Sequence, residues 1–204
     1  MPLGGSITHG VGSSDQNGYR KVLLELLQSN GFNVRMVGSR RAGTITNNEH
    51  EGWRGFRIDQ IATRAEPSAE KLQPHLFTVN AGSNDCLQRN EPREAGKRLE
   101  NLVENLWLAS PGSTIVLSSL VINCDGEVDR RVRAFNEQVE KLAGVKASEG
   151  GKIVFVDMHG SDGPLMDDLV EDGIHPNDTG YTKMAKIWLR GINTASSRGY
   201  LPVP

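Results

Sequence analysis

The sequence predicts a doubly wound α/β fold: a parallel sheet with helices packed on both faces. Two observations point to it. Strand-like and helical segments alternate along the chain, and residues 76–79, 114–120 and 153–156 are short runs dominated by apolar and β-branched residues, as expected of strands buried on both sides. The 204 residues suit one domain with a sizeable core, and no linker or internal repeat divides residues 1–204.

A first short strand is expected around Leu3. Residues 19–30 read as an amphipathic helix, with Val22, Leu23, Leu26 and Leu27 at helical spacing and Asn30-Gly31 as its stop. Residues 34–37 read as a strand and residues 38–55 as a Gly/Asn-rich loop. A helix is expected from Ile58 into residues 62–65, then a strand at 76–79 that ends in Asn80-Ala81-Gly82-Ser83-Asn84-Asp85. Residues 95–108 and 129–147 read as helices. The last helix, residues 177–192, has Tyr181, Met184, Ala185, Trp188 and Leu189 on one stripe. In sheets of this kind, sites form beyond the carboxyl ends of the strands. That directs attention to the loops after Leu3, Val79, Leu120 and Val156.

Composition excludes several classes of function. Lys and Arg number 23 against 25 Asp and Glu, for a net charge of -2, so there is no basic excess for a nucleic-acid partner. Arg40-Arg41 and Arg130-Arg131-Arg133 are short and read as solvated surface. Aromatic residues make up 5%, too few for a platform that stacks bases. No tract is apolar enough to span a bilayer, and no signal peptide is read at Met1-Pro2-Leu3-Gly4, which is expected to belong to the fold. No heptad or apolar surface stripe calls for an oligomer, so a monomer is expected. His50-Glu51 and Asp157/His159 resemble fragments of metal sites, but neither forms a two-histidine pair or a Cys-rich cluster; no metal and no cofactor is expected.

Two residues carry the chemistry. Ser6 follows the first strand in Gly4-Gly5-Ser6, where glycines permit a tight turn and close approach of a carbonyl. A serine hydroxyl needs a base, and His175 in Asp172-Gly173-Ile174-His175-Pro176 is the candidate, with Asp172 three residues back to orient its ring. Pro176 biases His175 towards an extended conformation, and Asn177 or Asp178 reads as the cap of the last helix. Asn84 offers a side-chain amide, and Gly55 a backbone N–H, to a developing oxyanion. His9 stands near Ser6 but lacks an orienting carboxylate.

Each signal is short, but their order along the chain is specific. Pro2-Leu3-Gly4-Gly5-Ser6-Ile7-Thr8, His50-Glu51-Gly52-Trp53-Arg54-Gly55, Gly82-Ser83-Asn84-Asp85 and Asp172-Gly173-Ile174-His175-Pro176-Asn177 resemble the four blocks of SGNH (GDSL-like) hydrolases. The nearer resemblance is to the acetyl xylan esterases of carbohydrate esterase family 3. It implies a flavodoxin-like three-layer α/β/α sandwich and a serine esterase that removes O-acetyl groups from plant polysaccharide. Ser6 would be the nucleophile, His175 the base and Asp172 its partner. The oxyanion hole would be the Ser6 and Gly55 N–H groups with the Asn84 side chain; Trp53 and Arg54 would flank the substrate. An extracellular setting is implied as well. Cys86 follows the Asn84-Asp85 block and Cys124 the next expected strand, so in a parallel sheet both would lie on loops at the same end; a disulfide between them, bracing Asn84, is expected and would suit that setting.

One departure stands out: Gly5 occupies the position where the family pattern has Asp, a residue that braces the nucleophile loop. Two alternatives therefore remain beside the deacetylase. The same triad would serve a lysophospholipase, thioesterase or other short-acyl esterase, and loss of the brace would suit a catalytically impaired carbohydrate-binding relative.

Overall fold

A computed structural model of the chain describes residues 1–201. It is a six-stranded sheet between two helical layers. The elements in chain order are β1 (Pro2–Gly4), α1 (Ser6–His9), α2 (Tyr19–Ser29), β2 (Arg40–Arg41), β3 (Glu49–Gly52), α3 (Ile58–Leu72), β4 (Leu76–Asn80), α4 (Ser83–Leu87), α5 (Ala95–Ala109), β5 (Thr114–Ser118), α6 (Gly126–Ser148), β6 (Ile153–Val156) and α7 (Asp178–Ser197). A 3-10 turn at Met166–Asp168 precedes α7. The strand order is β2-β3-β1-β4-β5-β6, parallel throughout except that β2 runs antiparallel to β3.

The strands alternate between two cores, as a sheet covered on both faces requires. Ile115, Leu117 and Ile153 pack with Leu99, Val103, Phe135 and Val139 of α5 and α6. Val116, Val154 and Val156 face the other way, onto Leu23 and Leu27 of α2 and Met184 and Trp188 of α7. Asn177 caps α7, its side chain accepting the N–H groups of Thr179 and Gly180. Among the described residues no helix is long and apolar enough to cross a membrane.

Two groups of expectations are corrected, the first at the edge of the sheet. The strand expected at residues 34–37 does not form. The backbone groups of Met36 bond instead to the Asn47 side chain, which accepts its N–H at 2.7 Å and donates to its carbonyl at 2.8 Å. Beside β1 lies β3, inside the stretch read as a loop: its Glu49-His50-Glu51-Gly52 carries no apolar run to mark it as a strand.

The disulfide is the second correction, because Cys86 and Cys124 are both free thiols. Cys86 lies on the face of α4 turned into the core, and burial first, then the nearby Asp85 carboxylate, pushes its thiol up to about 12. Cys124 is exposed and lies against Gly173. Thiol titration is therefore expected to find one fast-reacting group in the folded protein, Cys124, and two once it is denatured.

Candidate active site

The carboxyl ends of β1, β3 and β4 and the loop before α7 bring the expected residues together. β1 ends at Gly4, where no side chain fits: a Cβ would lie 2.1 Å from the Asn80 carbonyl oxygen. The chain turns at Gly5 and starts α1 at Ser6, which is half-buried. Across from it, residues 168–177 fold back on themselves. The Val170 N–H donates to the His175 carbonyl at 2.9 Å and the Asn177 N–H to the Asp168 carbonyl at 2.8 Å. Gly173 takes φ +67° at the tip, and Asp172 and His175 project from it.

Ser6 Oγ lies 2.7 Å from His175 Nε2, and His175 Nδ1 lies 2.6 Å from Asp172 Oδ2. The other Asp172 oxygen accepts the N–H groups of Ile174 at 2.8 Å and His175 at 2.9 Å. Partial burial alone would raise the Asp172 carboxyl. The His175 ring and these two N–H groups outweigh it and hold the carboxyl below its usual value, so it is ionised at neutral pH and can fix the imidazole. Its side chain is 42% exposed, against 15% for His175, so the acid end of the relay is open to water.

The opposite wall is residues 53–56. The Trp53 N–H donates to the Gly4 carbonyl at 2.9 Å, which fixes the loop to the end of β1. Gly55 adopts φ +77° and is exposed; its carbonyl accepts from Gln88 Nε2 at 3.1 Å. Among the described residues, neither the Ser6 nor the Gly55 N–H donates to a protein acceptor. Asn84 Nδ2 donates to the Phe56 carbonyl at 2.9 Å, which leaves its second N–H, and a Cβ on Gly5 would lie 3.5 Å from that nitrogen. The Asn84 amide thus sits beside the turn that bears Ser6. N–H groups without a protein acceptor, as at Ser6 and Gly55, and the second N–H of Asn84 are donors of the kind that an acyl-transfer intermediate requires.

Trp53 and Arg54 differ in their surroundings. The half-buried Trp53 ring donates to Glu51 at 2.9 Å, stacks on Phe56 at 5.4 Å and lies under the Arg40 guanidinium at 4.4 Å. Arg54 is exposed, and among the described residues no carboxylate pairs with it. His9 is kept below its usual pKa by burial, then by Arg54 and Arg40. His50, fully buried, is lowered to about 3 by burial, then by Arg20, His9 and Arg40. Its Nδ1 accepts the Gly52 N–H at 2.8 Å. Among the described residues, no group of three or more His, Cys, Asp or Glu side chains gathers to hold a metal.

Gly5, the departure from the family pattern, has room for a side chain. A Cβ would meet Asn84 Nδ2 at 3.5 Å and the Trp53 carbonyl at 3.9 Å, both ordinary contacts, and Ser6 and His175 are within hydrogen-bond distance without an acid there. Gly5→Asp is expected to fold normally and to change kcat by no more than about 100-fold, the scale of a single charge-assisted hydrogen bond. Parallel melting curves and steady-state rates check this.

Sequence reasoning missed two supporting residues. Asp85, fully buried, accepts the Ile58 N–H at 3.0 Å and pairs with Arg98 at 3.0 Å, so it ties α4, which carries Asn84, to the start of α3. Arg20 is wholly buried in α2. Its signal was its phase: with Leu23 and Leu27 it lies at the i, i+3, i+7 spacing of the apolar face.

Comparison with known proteins gives the family and the fold. The profile of the GDSL-like Lipase/Acylhydrolase family matches residues 3–183. The chain is 27% identical to a multidomain esterase of Ruminococcus flavefaciens over 230 aligned positions, covering 98% of this chain and 28% of that protein; it thus spans little more than a quarter of that relative. It superposes on a family 3 carbohydrate esterase of Clostridium thermocellum with a TM-score of 0.86 at 28% identity, over 97% of this chain and 96% of the other. A carbohydrate esterase family 3 structure from Talaromyces cellulolyticus shares the fold, with a TM-score of 0.83 at 20% identity over 97% of each chain. The chain belongs to the GDSL-like lipase/acylhydrolase family, and its class is that of the carboxylic ester hydrolases.

Proposed function

We propose that this chain is a serine esterase that removes O-acetyl groups from plant polysaccharide through an acyl-enzyme intermediate. The observation that carries the reading is the continuous relay from Ser6 Oγ through His175 to Asp172, at 2.7 Å and 2.6 Å. His175 takes the Ser6 proton as the hydroxyl attacks the ester carbonyl. The oxyanion rests on the Ser6 and Gly55 N–H groups and the Asn84 amide. As the acyl C–O bond breaks, His175 gives the proton to the departing sugar oxygen, which leaves as a hydroxyl. In the second half, His175 deprotonates a water that attacks the acyl carbon, and acetate leaves as Ser6 regains its proton.

A short acyl group fits the setting. The cavity of about 630 Å³ lined by Val154, Phe155 and Ile187 and the apolar one of about 480 Å³ lined by Leu23, Leu27 and Phe32 are both away from Ser6 and His175, so neither offers the acyl group a tunnel. The open wall of Trp53 and Arg54 would meet the carrier of the ester, with Trp53 anchoring the loop and Arg54 reaching the sugar. A polymeric substrate of this kind places the enzyme outside the cell.

The test is a series of p-nitrophenyl esters from acetate to octanoate, beside acetylated xylan. The reading requires the highest kcat/KM on acetate and release of acetate from the polymer. Preference for long esters would turn the same triad into a lipase or thioesterase. A folded protein that turns over none of them would indicate a binding role.

A further inference from the structure

Arg20 is a buried cation without an acid. Its side chain is inaccessible to solvent, and among the described residues no carboxylate forms an ion pair with it. It donates instead to five backbone carbonyls: Nε to Thr8 at 3.1 Å, Nη1 to Asn48 at 3.1 Å, and Nη2 to His9 and Gln16 at 3.0 Å and to Ala42 at 3.1 Å. Burying an unneutralised charge is costly, and an apolar residue at this phase of α2 would fill the core more cheaply. What the guanidinium supplies is geometry.

The five carbonyls come from three segments, and each leads to a different part of the candidate active site. Thr8 and His9 belong to α1, whose first residue is Ser6. His9 and Gln16 bracket the loop to α2, which leans on the base: a Cβ on Gly12 would lie 3.0 Å from His175 Cβ and 2.6 Å from the Pro176 carbonyl. That loop is held to α7 by Tyr181, whose hydroxyl donates to Val11 at 2.5 Å, and by Ser14, whose N–H donates to Asp178 at 2.9 Å. Ala42 and Asn48 flank the β2–β3 turn, and β3 runs directly into Trp53 and Gly55.

We propose that Arg20 is a positioning residue for catalysis, setting the nucleophile turn, the loop against His175 and the strand that feeds the oxyanion wall from one buried point. The proposal rests on the reading of Ser6 as nucleophile and His175 as base. Only a planar fork of donors reaches carbonyls in so many directions; an ammonium has three donors and no fixed plane. Lysine at this position keeps the charge and loses the geometry, so the three segments settle independently.

The test compares wild type, Arg20→Lys and Ser6→Ala by melting temperature, by kcat and KM on p-nitrophenyl acetate, and by the rate at which a fluorophosphonate labels Ser6. With Arg20→Lys folded, kcat and labelling rate are expected to fall together by about 10–100-fold, the scale of a misplacement of about 1 Å. KM is expected to change less than about twofold, because substrate contacts remain. A folded Arg20→Lys that labels at the wild-type rate overturns the proposal, whatever its melting temperature. Wild type that is not labelled at Ser6, with turnover surviving in Ser6→Ala, instead overturns the underlying reading. If Arg20→Lys does not fold, Arg20→Ala folded with ethylguanidinium takes its place as the cation is diluted out. Labelling lost before the circular dichroism signal supports the proposal; the two lost together overturn it.

Discussion

Ser6→Ala is expected to reduce ester turnover by about 10⁶-fold, the scale of removing the serine of a hydrolytic triad, with little change in melting temperature. The two expectations follow from the same geometry. The Ser6 hydroxyl touches the relay only through His175, at 2.7 Å, and is half-buried at the first residue of a four-residue helix, so its deletion leaves neither a core cavity nor an orphaned buried partner. Without it, water must attack directly, and His175 has no nucleophile aligned with the oxyanion donors. Steady-state rates on p-nitrophenyl acetate beside a calorimetric melt check both. A large loss of stability would mean that the hydroxyl has a structural role that the contacts do not show.

Asn84→Ala is expected to lower kcat by about 10²–10³-fold with little change in KM, the effect of removing one oxyanion donor. The amide has two N–H bonds, and the Phe56 carbonyl takes one at 2.9 Å; only the second is available to the reaction. The same substitution frees Phe56, so a stability loss of about 1 kcal/mol is expected from the missing hydrogen bond. The two effects separate cleanly, because stability is read from the melt and the transition-state contribution from kcat. A rise in KM with kcat unchanged would move Asn84 from the oxyanion hole to substrate binding. Asp85 holds its neighbour in place from beneath, pairing with Arg98 and capping α3, so the alanine variant keeps its backbone position.

What the sequence disclosed about this site was local chemistry. Asp172 and His175 lie within one turn, so spacing alone predicted that one orients the other, and the fold had only to bring Ser6 across. The apolar strands at 76–80, 114–118 and 153–156 were legible because both of their faces are buried. The polar hairpin was not. Glu49, His50 and Glu51 form β3 although nothing in their side chains marks a strand; what holds them is pairing with β1 and the Glu51 bonds to Ser39 and Trp53. Residues 34–37 failed in the opposite way, apolar enough for a strand but with Met36 bonded to Asn47. Cysteine spacing misled for a related reason: two loops at one end of the sheet do not fix side-chain direction, and α4 turns Cys86 inward. Arg20 was visible only as an arginine at an apolar phase, an anomaly whose meaning depends on five carbonyls distant from one another in sequence.

In the proposed mechanism, Ser6 carries the acyl group between substrate and water. Mixing the enzyme with acetylated xylan, quenching in acid within a single turnover and mapping peptides by mass spectrometry tests it most directly. The account predicts an acetyl group on the peptide that contains Ser6, absent from Ser6→Ala and lost in the wild type as acetate appears. Acetate released from the polymer at full rate with no acetylated Ser6 peptide, and undiminished in Ser6→Ala, would contradict it.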